Sequence, residues 1–167
     1  MIKRITYLLF SAFLTISCTM NKRDKTAEDT LNDSILDYGE MYMLVGTYTS
    51  NEGSKGIYVY KFDTETGESD SISMVEVANP SYLVISPNEK FVYSVGENSG
   101  EGGFAHSFSF DKETGNIELL NSQNTQGSSP AYIALDSKGN NVITANYGGG
   151  SISQFNVNAD GSLSPLS

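Results

Sequence analysis

Glu97 is the candidate catalytic residue of this sequence, because it is the only carboxylate among a set of positions predicted to share one rim of the fold. A lone carboxylate among tyrosines and asparagines can act as a general acid or base, or can hold a hydroxyl-rich ligand through hydrogen bonds. The alternative is a solvated loop carboxylate beside Glu101. The candidate ligand-binding residues around it are Tyr48, Tyr82, Asn98, Tyr132, Asn146 and Tyr147.

A 50-residue repeat is the feature that would bring these residues together. Pro80 and Pro130 are 50 positions apart (130 − 80 = 50), and each opens a similar apolar run ending in a similar turn. Residues 142–147 match 92–97, and residues 42–47 fit the same pattern 50 positions earlier. Periods of about 40 to 50 residues with four short strands are typical of β-propeller blades. A β-sandwich would explain the strands and turns but not a constant repeat.

The sequence therefore predicts an all-β fold, a β-propeller of the seven-bladed type, with about three blades of four-stranded antiparallel sheet. The predicted strands are 41–47, 57–62 and 72–77 in the first repeat, 81–86, 91–97, 104–110 and 117–122 in the second, and 131–135, 141–146 and 151–157 in the third. The first repeat lacks an inner strand, and the third stops where a fourth strand should start. A ring closes with about four to eight blades, so we expect an incomplete ring that pairs with missing blades or with another chain.

Alternation within the third strand of each repeat predicts which side chains pack between blades. The expected rows are Tyr58, Tyr60 and Phe62, then His106, Phe108 and Phe110, then Ser153, Phe155 and Val157. His106 is therefore interpreted as a structural residue. The start of each inner strand and the end of the second strand should meet at one rim, where propellers usually bind ligands.

The N-terminus has the pattern of an export signal. Lys3 and Arg4 precede an apolar stretch over residues 5–16 that is too short to span a bilayer. Residues 1–17 are predicted to be a lipoprotein-type signal peptide, with lipidation at Cys18, the only cysteine; an ordinary secretory signal is the alternative. Residues 18–39 would be a polar tether and residues 40–167 a partial propeller. We expect an exported domain, lipid-anchored in a bacterial cell envelope at the periplasmic or cell-surface face of the outer membrane.

Composition excludes some partners and some chemistry. The chain has 20 Asp and Glu against 10 Lys and Arg, which argues against nucleic acid. It has one His and no paired metal ligands, and no motif for a serine or cysteine nucleophile is present.

Four segments together resemble the opening blades of the lactonase family of seven-bladed propellers, which includes propeller-type 6-phosphogluconolactonases. They are VGTYTS at 45–50, KGIYVY at 55–60, NPSYL at 79–83 and ANYGGGS at 145–151. The resemblance implies hydrolysis of a sugar lactone by water, with no metal and no organic cofactor. Glu97, Asn146 and Tyr147 are the rim positions that match the family pattern.

The family's catalytic constellation combines His, Glu and Arg, and here this chain departs from it. Its only arginines are Arg4 and Arg23, in the leader and tether, whereas Arg is the usual partner of a phosphate group. We therefore expect this chain by itself to show no rate above spontaneous lactone hydrolysis. The alternative function is a surface lipoprotein that binds carbohydrate or a protein partner without catalysis.

Overall fold

The computed structural model describes residues 40–166, and its strands confirm the predicted all-β architecture. The strands are β1 (Glu40–Val45), β2 (Gly56–Asp63), β3 (Ser69–Glu76), β4 (Leu83–Ile85), β5 (Phe91–Gly96), β6 (Phe104–Asp111), β7 (Asn116–Asn124), β8 (Pro130–Leu135), β9 (Asn141–Asn146) and β10 (Ser151–Asn156). A short 3-10 turn at Gly100–Gly102 is the only helical element among the described residues. None of the described residues belongs to a helix with the length and hydropathy of a membrane span. The predicted signal peptide and the tether, including Cys18, lie outside the described range.

Three antiparallel sheets follow one another along the chain. Their strand orders are β1-β2-β3, β4-β5-β6-β7 and β8-β9-β10. Each is built from consecutive strands, as expected for propeller blades. Among the described residues the first sheet has three strands, and β1 is at its edge. The inner strand that precedes the equivalent strand in the second sheet has no counterpart here, as the repeat predicted.

The turns between the outer strands are set by aspartate and glycine. After β2, Asp63 Oδ1 accepts hydrogen bonds from the backbone N–H groups of Glu65 and Thr66, and Gly67 adopts a φ of 77°. Asp111 and Gly115 repeat this arrangement after β6, with a φ of 73° at the glycine. An Asp that caps its own turn and a Gly at positive φ are the usual requirements of such turns.

The core lies between the sheets. Val92, Phe108 and Phe110 of the second sheet pack against Ile57 and Val59 of the first. The other face of the second sheet buries its side chains against the third sheet in a cluster of Tyr93, Val95, Ala105, Ile133, Val142, Phe155 and Leu163. The second sheet is therefore buried on both faces, as a blade between two neighbours must be.

In the first sheet, the predicted row of Tyr58 and Tyr60 shares one face, and this face is turned away from the second sheet. Ile57 and Val59 face the second sheet and are fully buried, whereas Tyr58 and Tyr60 stack on each other on the opposite face and are half-buried. Residues 57–60 are apolar on both faces, so alternation alone did not choose between them. The rows predicted for the other two sheets contain Phe108 and Phe155, which are buried.

The side chains of β1 and β5 that are 50 positions apart do not face the same way. Leu44 contacts the core between the first and second sheets. Its counterpart 50 positions later, Ser94, alternates with Tyr93 and Val95, which face the third sheet. Ser94 therefore faces the preceding sheet, whereas Leu44 faces the following one. A shift of one residue moves every side chain of a strand to the other face.

After β10 the chain turns back and pairs with the end of β10 at the edge of the third sheet. Val157 pairs with Leu163 in an antiparallel bridge, and Leu163 is buried in the core. The side chains of Asn121 and Gln123, on β7, donate hydrogen bonds to the Leu163 carbonyl at 2.7 and 3.0 Å. This returning segment therefore ties the third sheet to the outer strand of the second.

Candidate functional site

Glu97 lies just beyond the end of β5 and joins the first two sheets. Its Oε2 accepts a hydrogen bond from the Tyr48 hydroxyl at 2.8 Å and another, shorter one from the Ser81 hydroxyl. Tyr48 belongs to the connection between β1 and β2, and Ser81 lies two residues before β4. The carboxylate is half-buried. The predicted meeting of the inner-strand start with the second-strand end is therefore present, and the first sheet contributes as well.

Asn79 holds this arrangement together. Its Oδ1 accepts a hydrogen bond from the Thr49 backbone N–H at 2.8 Å, and its Nδ2 donates to Asn98 Oδ1 at 2.8 Å. Its own carbonyl accepts the Glu97 N–H at 3.0 Å. We refer to Tyr48, Asn79, Ser81, Glu97 and Asn98 as the Glu97 cluster.

The hydrogen bond between Tyr48 and Glu97 fixes the role of the phenol. This bond is the main cause that raises the pKa of Tyr48 above its ordinary value, with smaller contributions from burial and from the carboxylate charge. Tyr48 therefore stays protonated at neutral pH and donates its proton to the carboxylate.

Tyr82 and Tyr132 form a second feature of the same end of the sheets. Their ring centroids are 4.7 Å apart with the planes tilted by 52°, and both side chains are about half exposed. Tyr132 pairs with Ala145 on the outer face of the third sheet, the face turned away from the second sheet. Ile152 lies on the same face. The two tyrosines, 50 positions apart, thus contact each other across the boundary between the second and third sheets.

Asn146 and Tyr147 do not join the Glu97 cluster. Asn146 is only 1% exposed, and its Nδ2 donates hydrogen bonds to the hydroxyls of Ser151 and Ser153 at 3.1 and 2.9 Å. Tyr147 is 86% exposed. It begins the four-residue turn between β9 and β10, in which Gly150 has a φ of 60°. The glycine run therefore forms a tight connection between two strands.

His106 is buried, as its predicted structural role requires. Its Nδ1 lies 2.7 Å from the Ser122 hydroxyl, and burial lowers its pKa to about 4. Its Nε2 and the Ser94 hydroxyl have no hydrogen-bond partner among the described residues. The imidazole lies so close to Gly96 that a Cβ there would be 2.4 Å from Nε2.

Asn79 is the site residue whose role the sequence did not indicate. Its φ of 47° is in the left-handed region, which Asn tolerates better than most residues. Ser129, 50 positions later, has a φ of 49°, and its carbonyl accepts the Tyr147 N–H as the Asn79 carbonyl accepts the Glu97 N–H. A residue before proline with a short polar side chain, repeated at the 50-residue spacing, was the signal available in the sequence.

Two lysines of the described residues, Lys55 and Lys112, have partners outside the Glu97 cluster. Lys55, the last residue of the connection that contains Tyr48, donates its ammonium hydrogens to the carbonyls of Ser50 and Asn51. Lys112, at the opposite end of the sheets, pairs with Glu89 at 3.6 Å. Residues 40–166 contain no arginine, and no cluster of metal-ligating side chains occurs among the described residues.

Consecutive antiparallel sheets packed face to face, with polar side chains at the ends of their inner strands, define the β-propeller class. The chain belongs to the lactonase family of seven-bladed β-propellers, whose family model matches residues 42–167.

Similar proteins with curated names include 6-phosphogluconolactonases. The one from Bacillus subtilis (strain 168) is 39% identical over 125 residues, covering 74% of this chain and 35% of the relative. The one from Formosa agariphila is 35% identical over 126 residues, covering 74% of this chain and 36% of the relative. This chain thus spans about a third of the length of these relatives.

Two solved structures show the same relationship. A provisional 6-phosphogluconolactonase from Bacteroides fragilis is 52% identical with a TM-score of 0.73, covering 77% of this chain and 35% of that one. The periplasmic gluconolactonase of Pseudomonas aeruginosa is 35% identical with a TM-score of 0.69, covering 76% of this chain and 37% of that one. Both likenesses support the propeller arrangement of the three sheets.

Proposed function

We propose that this chain serves in the hydrolysis of a sugar lactone of the 6-phosphogluconolactonase type, with Glu97 as the general base. The observation that carries the proposal is the half-buried Glu97 carboxylate, held at the junction of two sheets by the Tyr48 and Ser81 hydroxyls. The names of the relatives support the choice of substrate class.

The chemistry that suits this carboxylate is activation of water. Glu97 would accept a proton as the water oxygen bonds to the lactone carbonyl carbon. The ring C–O bond then breaks, and the proton passes to the departing ring oxygen to give the open hydroxy acid. The two hydroxyl donors hold the carboxylate in place at the junction of the two sheets.

Ring opening of δ-6-phosphogluconolactone by the purified chain tests the proposal. Acceleration over the spontaneous rate that is lost in Glu97→Gln would support it, with Glu113→Gln, a change in the exposed turn after β6, as the control. A rate equal to the spontaneous one would match the expectation from the missing arginines. It would contradict hydrolysis by this chain and favour binding without catalysis.

Carbohydrate binding without turnover is the second candidate, and the exposed pair of Tyr82 and Tyr132 favours it. Aromatic faces at a concave rim provide apolar area for a sugar ring while their hydroxyls offer hydrogen bonds. Isothermal titration with glycans and sugar lactones would detect it as binding that Tyr82→Ala weakens and that proceeds without hydrolysis.

We also propose that the chain is exported and anchored to a bacterial cell envelope through lipid on Cys18. The support is the sequence alone: a basic start, a short apolar stretch, and a single cysteine at its end. Metabolic labelling with radioactive palmitate should mark the wild-type protein and not Cys18→Ser. Equal labelling of the two would contradict the anchor.

A further inference from the structure

The hydrogen-bonding capacity left on the Glu97 cluster selects the kind of group it can hold. Glu97 Oε2 accepts both hydroxyl hydrogens, from Tyr48 and from Ser81. Among the described residues, no hydrogen bond reaches Glu97 Oε1. Each hydroxyl has a single hydrogen, and both hydrogens are used on the carboxylate.

The atoms that remain on Tyr48, Ser81 and Glu97 are therefore acceptors. Glu97 Oε1, Tyr48 Oη and Ser81 Oγ all present lone pairs, and an ionised carboxylate has no hydrogen to donate. The Tyr48 hydroxyl stays protonated because its hydrogen bond to Glu97 raises its pKa, so its one hydrogen remains on the carboxylate. A group that binds these three side chains must be a hydrogen-bond donor, whereas the donors of the cluster are the side-chain amides of Asn79 and Asn98.

A phosphate is a poor match for such a surface. As a dianion it offers acceptor oxygens only, and it carries the same sign of charge as Glu97, so the two repel each other. The nearest lysine of this connection, Lys55, is bound to the Ser50 and Asn51 carbonyls. A sugar hydroxyl can donate to Glu97 and is uncharged.

We infer that the Glu97 cluster is a subsite for an uncharged hydroxyl of the sugar ring, and that the phosphate of a phosphorylated lactone lies away from it. This inference rests on the proposed function and specifies which end of the substrate the described rim contacts. The cluster thus distinguishes the polyhydroxylated ring from its anionic substituent.

A matched pair of stable ring analogues tests the inference, D-glucono-δ-lactam and its 6-phosphate. The readout is the shift of the backbone amide resonances of Ser81 and Glu97 during titration of the full chain. We expect both probes to shift these resonances with similar affinities. Glu97→Gln should weaken both by about tenfold, because a hydrogen bond to a charged group is replaced by one to a neutral amide. Glu113→Gln should change neither.

Two results would overturn the inference. One is tighter binding of the phosphorylated probe to Glu97→Gln than to wild type, since that would place the phosphate against the carboxylate. The other is no shift of these resonances with either probe. If the probes bind as expected but lactone ring opening is not accelerated, only the proposed hydrolysis fails.

Discussion

His106, the only histidine of the sequence, is held neutral by its surroundings. It is 6% exposed, its ring lies beside Phe104 and Phe108, and burial lowers its pKa from 6.5 to about 4. In the unfolded chain the imidazole binds a proton near pH 6.5, whereas in the folded chain it does so only near pH 4. The unfolded state therefore binds more protons between these values.

The free energy of unfolding should consequently fall as pH is lowered from about 6.5 to about 4. A shift of this size corresponds to about 3 kcal/mol, complete above pH 6.5 and lost near pH 4. Urea unfolding across this range would measure it, and the imidazole proton resonance would report the pKa directly. His106→Gln should remove this component, and a slope that persists unchanged would show that other groups cause it.

Asn79 combines an unusual backbone conformation with hydrogen bonds to two neighbouring connections. Asn79→Gly keeps the φ of 47° accessible and removes only the side-chain bonds to Thr49 and Asn98. We expect it to lower the free energy of unfolding by about 1–2 kcal/mol. Asn79→Ala should cost about 1 kcal/mol more, because alanine adopts the left-handed region less readily. Equal losses in thermal unfolding would mean that the conformation contributes nothing.

The sequence predicted some contacts of the site and missed others for identifiable reasons. Glu97 and Tyr48 meet because the ends of the second strands share one rim, which the repeat alone implies. Asn146 occupies the same kind of position but faces inward to Ser151 and Ser153. Sequence spacing places a residue at a strand end and does not give the direction of its side chain when the following turn is tight.

At the scale of strands, the turn at Gly161 is the element most sensitive to a small change. Gly161 has a φ of 85°, and a Cβ there would lie 2.2 Å from Phe91. Its carbonyl accepts hydrogen bonds from the hydroxyls of Tyr93 at 3.1 Å and Ser107 at 2.6 Å. Burial and the nearby Asp160 raise the pKa of Tyr93 to about 12, so this donor stays protonated.

Gly161→Ala should therefore destabilise the protein by more than the change of conformation alone. Gly67 is a matched control, with a φ of 77° and no atom within 4 Å of an added Cβ. We expect Gly67→Ala to cost about 1 kcal/mol and Gly161→Ala about 1–3 kcal/mol beyond that, the usual cost of overpacking. Differential scanning calorimetry of both variants measures the difference. Equal melting temperatures would show that Phe91 moves aside freely.

Strand positions were the most predictable part of the fold, and strand facing was the least predictable. Runs bounded by Asp-Gly and Pro-Asn turns gave the strands within a few residues, because those turns have definite chemistry. In β1 and β2 both faces are apolar, so alternation could not show which face meets the second sheet. A strand with apolar side chains on one face and polar side chains on the other would have shown which face is buried.

At the scale of the whole described region, the outer face of the third sheet presents apolar side chains to solvent. Ile152 is 77% exposed and Tyr132 is 49% exposed, and Ile143 lies on the same face. Equivalent faces of the second sheet are buried against neighbouring sheets. Burying such a face removes apolar area from water, which favours association.

We therefore expect the purified chain to self-associate with increasing concentration in sedimentation-velocity experiments. Ile152→Lys should weaken this association by about tenfold or more, because it replaces a large exposed apolar side chain of this face by a charge. Asn140→Lys, which adds the same charge in the turn between β8 and β9, should leave it unchanged. If Ile152→Lys associates as strongly as the wild type, the contact between copies lies elsewhere, and the exposed face of the third sheet is not what drives it.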